Sequence, residues 1–119
     1  MSEPFPLLRM SYEQISLFTA QLLVYQQYLQ RKVAPSARRN RSLRILVALI
    51  RRLSAMWEQT GPQKALLLTI EEVSLIKEAL TVMQQVLETK PPSPGRDQEI
   101  ERIAAMKALI EQTFPTIQQ

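Results

Sequence analysis

SYEQISLFTAQLLVYQQYL at residues 11–29 lies over TIEEVSLIKEALTVMQQVL at residues 69–87, an offset of 58. Eight of the nineteen aligned positions are identical (Glu13, Ser16, Leu17, Leu22, Val24, Gln26, Gln27 and Leu29), where background composition would give about one. A repeat at this period means one supersecondary unit used twice. Ile15, Phe18, Leu22, Tyr25 and Leu29 recur at three-four spacing, as do Val73, Ile76, Leu80, Met83 and Leu87. Each set makes one apolar stripe on a helix and would scatter over both faces of a strand. Ser11 with Gln14, and Thr69 with Glu72, have capping-box spacing, and Met10 and Leu68 stand where a hydrophobic staple onto Ile15 and Val73 belongs. Both helices are therefore expected to start by the same device.

Working outward, EQTGP at 58–62 matches EQTFP at 111–115, now at an offset of 53. The first copy is thus read as five residues longer, with the surplus between residues 33 and 41, where the second copy has the shorter PPSPG at 91–95. A second helix is expected over about 37–59, with a seam of Leu43, Leu46, Ile50, Leu53 and Trp57 widened by Ile45, Leu49 and Met56, and with Gly61-Pro62 as its stop. In the other copy Ser93 caps a helix with Pro94 at its first position, and Asp97 and Glu99 complement its dipole. Ile100, Ile103, Met106, Leu109 and Ile110 face inward there, and Pro115 ends the helix. Residues 5–10 and 64–68 are extended candidates in equivalent places, able to pair across a pseudo-twofold axis.

The short links at 33–36 and 90–93 make each helix pair antiparallel. The sequence thus predicts an all-α fold, a four-helix bundle of two tandem helical hairpins related by a pseudo-twofold, with repeat 1 over about 7–62 and repeat 2 over about 65–115 of one 119-residue domain.

Composition removes much of chemistry. There is no Cys and no His, so disulfides, zinc sites of the Cys or His type and His or Cys catalysis are excluded. Gly61 and Gly95 are the only glycines, which leaves no glycine-rich phosphate loop. The carboxylates Glu71, Glu72, Glu99 and Glu101 invite a magnesium reading, but their places at helix starts explain them as caps and dipole partners. No catalytic residue, metal or cofactor is expected. Residues 1–10 do not read as a secretory signal, and the longest apolar run, 45–50, is far short of the roughly 20 residues a membrane span needs. A cytoplasmic protein is expected.

Charge is divided unevenly. Residues 1–57 carry nine Lys or Arg against two Glu, a balance of +7, and residues 58–119 carry six against nine, a balance of −3. The cluster Arg31, Lys32, Arg38, Arg39, Arg41, Arg44, Arg51 and Arg52 is the candidate site for an anionic partner, since the guanidinium fork grips phosphate or carboxylate at two points. Its bland reading is a solvated face paired with Glu71, Glu72 or Glu101. Tyr28, Leu49, Met56 and Trp57 are the candidate protein-interface residues, because aromatic and Met side chains suit interfaces; Tyr25 falls in the seam and is read as core. Leu17, Leu75 and Ile45, with Leu49, Met56 and Trp57, are apolar residues in excess of one stripe per helix.

Two functions compete on these grounds. The first is a non-enzymatic helical adaptor or assembly subunit that binds protein and self-associates as a homodimer. The second is a nucleic-acid-binding accessory protein contacting phosphates through the arginines of the second helix, although no base-reading motif is present. A basic amphipathic helix lying on a membrane is disfavoured, because the apolar side of that helix is needed for the core.

Overall fold

A computed structural model describes residues 7–115. The chain runs β1 (Leu7–Met10), α1 (Tyr12–Lys32), α2 (Ala37–Ala55), a 3-10 turn (Met56–Glu58), β2 (Lys64–Leu67), α3 (Ile70–Glu88) and α4 (Pro94–Thr113). The fold is mostly helical, with four helices and a small two-stranded sheet. The extended candidates became strands, with residues 5 and 6 of the first candidate outside the described residues.

Both long N-terminal helices start as the sequence predicts. Ser11 Oγ accepts from Gln14 N at 3.2 Å while Ser11 N donates to Gln14 Oε1 at 2.9 Å. Thr69 and Glu72 repeat the exchange at 3.1 and 2.9 Å. Each box satisfies two groups, an otherwise orphan N–H of the helix start and the N–H of the cap residue itself. Ser36 and Ser93 cap α2 and α4 by accepting from Arg39 N and Arg96 N.

These second caps correct the expected register. Ser36 and Ser93 are 57 apart, and the buried lines Leu46, Leu49, Leu53 and Ile103, Met106, Ile110 keep that spacing. No five-residue surplus lies between 33 and 41. The EQT match is not carried into the structure, since residues 58–60 leave the 3-10 turn while 111–113 are still helix. After residues 58–60 comes the Gly61 turn, at φ +99°, a region L side chains rarely adopt. It sends the first copy into β2, whereas Phe114 and Pro115 end the second.

β1 and β2 pair antiparallel with Leu7 opposite Leu67, Leu8 opposite Leu66, Arg9 opposite Ala65 and Met10 opposite Lys64. Leu8, Met10, Lys64 and Leu66 are buried, as period-two alternation requires. The free edge of β2 is covered by side chains. Gln59 Nε2 donates to Ala65 O at 3.1 Å, Ala65 N donates to Gln59 Oε1 at 3.0 Å, and Arg52 Nη2 donates to Leu67 O. An exposed strand edge templates unwanted pairing, and these bonds occupy it.

α1 packs on α2 and α3, and α3 on α4, with slighter contacts joining α2 to α3 and α1 to α4. The α1 stripe is buried throughout, as are Val73, Ile76, Leu80 and Met83 of α3, with Leu75 and Ala79 added. In α2 the seam is rotated from expectation: Leu46, Leu49, Leu53 and then Met56 are buried, Leu43 and Ile50 are partly covered, and Trp57 is exposed. That helix meets both α1 and α3, so the line between the two neighbours is hidden and its flanks are not. Among the described residues no helix is long and apolar enough to cross a membrane.

Candidate functional site

The eight basic residues of the expected cluster differ in their partners. Arg41 pairs with Glu71, Arg52 with Glu72, and Arg38 with Glu78 at 3.6 Å, so three guanidiniums of the cluster are matched by carboxylates along α3. Arg39 turns back to donate to Val33 O at 3.1 Å, closing the α1–α2 link, and its Nε is buried without a partner. Arg31 and Lys32 lie in the last turn of α1, where cations complement the negative end of the helix dipole. The bland reading thus holds for Glu71 and Glu72; Glu78 was not foreseen, and Glu101 pairs with none of these arginines.

Arg44 and Arg51 differ from the other arginines of α2. Both are exposed, and neither has an ion-pair partner among the described residues. They sit two turns apart on α2 and border a groove of about 340 Å³, whose other walls are Gln26 and Gln30 of α1 and Leu43, Val47 and Ala48 of α2. Val47 is exposed here, as are Leu23 and Val24 on the neighbouring turn of α1, at 36%, 43% and 49%. Leu23 and Val24 lie outside the stripe of Ile15, Phe18, Leu22, Tyr25 and Leu29, so the core has no place for them.

On its other flank α1 meets α4 in a cleft of about 450 Å³ lined by Glu13, Gln14, Leu17, Glu101, Ala105 and Leu109, among others. Glu13 and Glu101 have no ion-pair partner among the described residues, while the adjacent Arg102 is held by Glu99 at 3.1 Å. The outward strip of α1 is therefore apolar at its middle, with Arg44 and Arg51 beyond its α2 border, Glu101 beyond its α4 border and Glu13 at its N-terminal end.

Two of the four expected interface residues are corrected. Leu49 and Met56 are 0% and 2% exposed, core residues on the hidden line of α2. Tyr28 is half-buried and stacks on Tyr25, ring centroids 6.2 Å apart at 12°. Burial, with Glu78 and Tyr28 alongside, raises the Tyr25 phenol to about 12, against a lowering influence of Arg38. Trp57 is exposed and stacks on Tyr12 at 4.9 Å, and the ammonium of Lys64 lies 4.2 Å from the Tyr12 ring centre while donating to Gly61 O at 2.6 Å. This group ties the turn at 56–64 to the start of α1. Leu7, Leu67 and Ile70 are further exposed apolar residues, at and just beyond the sheet.

The sequence reading missed Leu23, Val24 and Val47. The signal was present: each falls off its helix stripe while being too apolar for a solvated face. Among the described residues no three carboxylates converge as metal ligands would, and Glu71 and Glu72 already serve Arg41 and Arg52. No protein-family model, no curated protein and no solved structure matches the chain.

Proposed function

We propose that this protein is a non-enzymatic helical assembly module that binds protein through the outward face of α1 and α2. The carrying observation is the company that Arg44 and Arg51 keep: alone in the α2 cluster they lack both a carboxylate and a backbone partner, and they share with exposed Val47 a groove against α1, the helix that also exposes Leu23 and Val24. Apolar side chains exposed together and rimmed by charge are the mark of a protein interface.

The same reading takes the fold as two tandem hairpins related by a pseudo-twofold. Three observations support it. The ladder sets Leu8 opposite Leu66, residues 58 apart, so each strand meets its own counterpart. The caps of the four helices fall at 11 and 69 and at 36 and 93. The α2–α3 cleft, with Arg44, Ile45, Ala48, Glu71 and Glu72, corresponds at those offsets to Glu101, Arg102, Ala105, Glu13 and Gln14 of the α1–α4 cleft.

A photo-crosslinking side chain placed at Leu23 or Val47 in the native cells should trap a protein, and the same group at Thr81 of α3 should not. Adducts to nucleic acid alone, or no difference between the faces, would reject the reading. The nucleic-acid alternative draws on the same free cations. With Arg38, Arg41 and Arg52 neutralised within the chain, Arg31, Lys32, Arg44 and Arg51 supply about four phosphate contacts and a log-log salt slope of about −3 to −4 on duplex DNA. Binding that survives Arg44→Glu with Arg51→Glu would remove that site from consideration.

A further inference from the structure

We infer that the cleft at the start of α2 is a binding site for a small organic oxyanion, a carboxylate or phosphate monoester on a short apolar body. The site is separate from the α1–α2 groove and does not rest on the protein-binding reading above.

The cleft has a volume of about 280 Å³ and lies where the end of α1, the first turns of α2 and the middle of α3 meet. Both hairpin links are closed by one device, a serine cap and an arginine that donates back into the link. In the first these are Ser36 and Arg39, which reaches Val33 O; in the second they are Ser93 and Arg96, which reaches Lys90 O at 2.9 Å. Around the second link, however, Met83, Val86 and Gly95 hold the positions that Tyr25, Tyr28 and Arg38 hold around the first. The second link closes without a phenol or a further guanidinium, so closing the first does not account for them.

Tyr25 points to a ligand. The residue is 3% exposed, yet its hydroxyl has no hydrogen-bond partner among the described residues and keeps accessible surface in this cleft, whereas buried polar groups are normally paired. Its phenol, raised to about 12, is a donor at neutral pH. Helix polarity gives the sign of the ligand. The first turns of α1, α3 and α4 carry Glu13, Glu71 with Glu72, and Asp97, but that of α2 carries no acid and two arginines, Arg38 and Arg39. The positive end of a helix favours an anion, and a bound one would supply here the charge that the other helices carry in their own side chains. Arg39 is committed to Val33 O, whereas Arg38 is largely exposed and meets Glu78 only at 3.6 Å, beyond hydrogen-bonding distance, so it is free to turn. Arg38, Tyr25, Tyr28 and Ser42 are then the donors around the cleft, against the one carboxylate of Glu78. Leu29, Val33 and Val82 make up the apolar wall, and since a cavity of about 150 Å³ holds benzene, a ring fits beside the oxyanion. A cation would meet two arginines, and a wholly apolar ligand would leave the Tyr25 hydroxyl unpaired.

Phenyl phosphate, benzoate and inorganic phosphate, each titrated at low ionic strength into the isotope-labelled full chain and followed by amide chemical shifts, test the site. Saturable one-to-one shifts centred on residues 25–28, 36–42 and 78 are expected with an organic anion, which should bind several times more tightly than inorganic phosphate. Tyr25→Phe and Arg38→Gln should each weaken binding by about tenfold or more, as expected for the loss of a hydrogen bond to a charged group. Glu78→Gln should tighten it, because the opposing carboxylate is gone and Arg38 is released. Arg44→Gln, in the α1–α2 groove, should leave it unchanged. Circular dichroism checks that the helices persist; if Tyr25→Phe disturbs them, Ser42→Ala takes its place with a smaller loss expected. Shifts that do not saturate or that scatter over the basic surface would overturn the site. So would affinities unmoved by Tyr25→Phe and Arg38→Gln, an equal loss from Arg44→Gln, or inorganic phosphate binding as tightly as both organic anions.

Discussion

The outward strips of α1 and α3 hold the same helix positions and have opposite characters. α1 shows Ser16, Ala20, Leu23, Val24 and Gln27 to solvent; 58 residues later α3 has Ser74, Glu78, Thr81, Val82 and Gln85. On α3 the carboxylate of Glu78 meets Arg38, and Thr81 and Val82 are half-covered. On α1 Ala20 stands where Glu78 would be, no cation crosses, and Leu23 and Val24 are left open. The inward stripes of the two helices keep one character, every position of both being apolar or aromatic, with Leu22 and Leu80 identical and Ile15 matched by Val73. Inside, volume and apolarity restrict what a position can hold. Outside, each strip is free to acquire its own use.

That contrast is open to several tests. The largest effect is expected at Leu22, where replacement by Ala should cost about 2–5 kcal/mol through lost burial and the cavity left behind, with Leu80→Ala comparable. The next residue, Leu23→Ala, should change monomer stability by less than about 0.5 kcal/mol. Urea denaturation of dilute protein would compare the three. A large loss at Leu23 under conditions where the chain is monomeric would mean that the strip belongs to the core.

The arginines divide in the same manner. Arg52 bonds both Glu72, a buried member of the α3 capping box, and the Leu67 carbonyl at the sheet edge. Arg52→Ala leaves both acceptors short and should cost about 1–3 kcal/mol, whereas Arg44→Ala should cost less than about 0.5 kcal/mol. Equal losses would contradict the division into paired and free cations. Between these two, Ser11→Ala and Thr69→Ala should each cost about 1 kcal/mol. Their near equality is the informative part, since the two helices start by one device.

The last test has no effect at neutral pH. Tyr25 stands where the second copy has Met83, and its phenol is raised to about 12 from an ordinary 10.0. The native state holds this proton more tightly than the unfolded chain, so its contribution to stability is full below pH 10 and is lost as the pH rises toward 12. Tyr25→Phe should flatten that part of the stability profile while leaving stability at pH 7 nearly unchanged. A wild-type profile without the decline would remove the assigned burial of the phenol.

Much of the framework was legible in the sequence. Helix starts are local events: a hydroxyl at 11 or 69 and a carbonyl-bearing side chain three residues later need only their own backbone, so spacing alone located them. The α1 and α3 stripes were equally plain, because these helices bury one face and period reveals a single buried face. The extended segments before each helix were visible, and their register became fixed once they met.

What the sequence did not settle follows from contact between elements distant in the chain. α2 lies against two neighbours, and its hidden line depends on where they stand; this is why Leu49 and Met56 proved to be core and Trp57 did not. The alignment of second helices by the EQT match failed because three identical letters can serve a helix end in one copy and a turn in the other. The fate of the arginines was also tertiary. Eight cations close in sequence look alike until α3 brings Glu71, Glu72 and Glu78 alongside some of them, and Coulomb attraction over a few ångströms decides which remain available. Sequence determined that this chain would make capped, single-striped helices with its positive charge in the first half; only the packing of those helices determined that, among the arginines of α2, Arg44 and Arg51 would be left without a carboxylate or backbone partner.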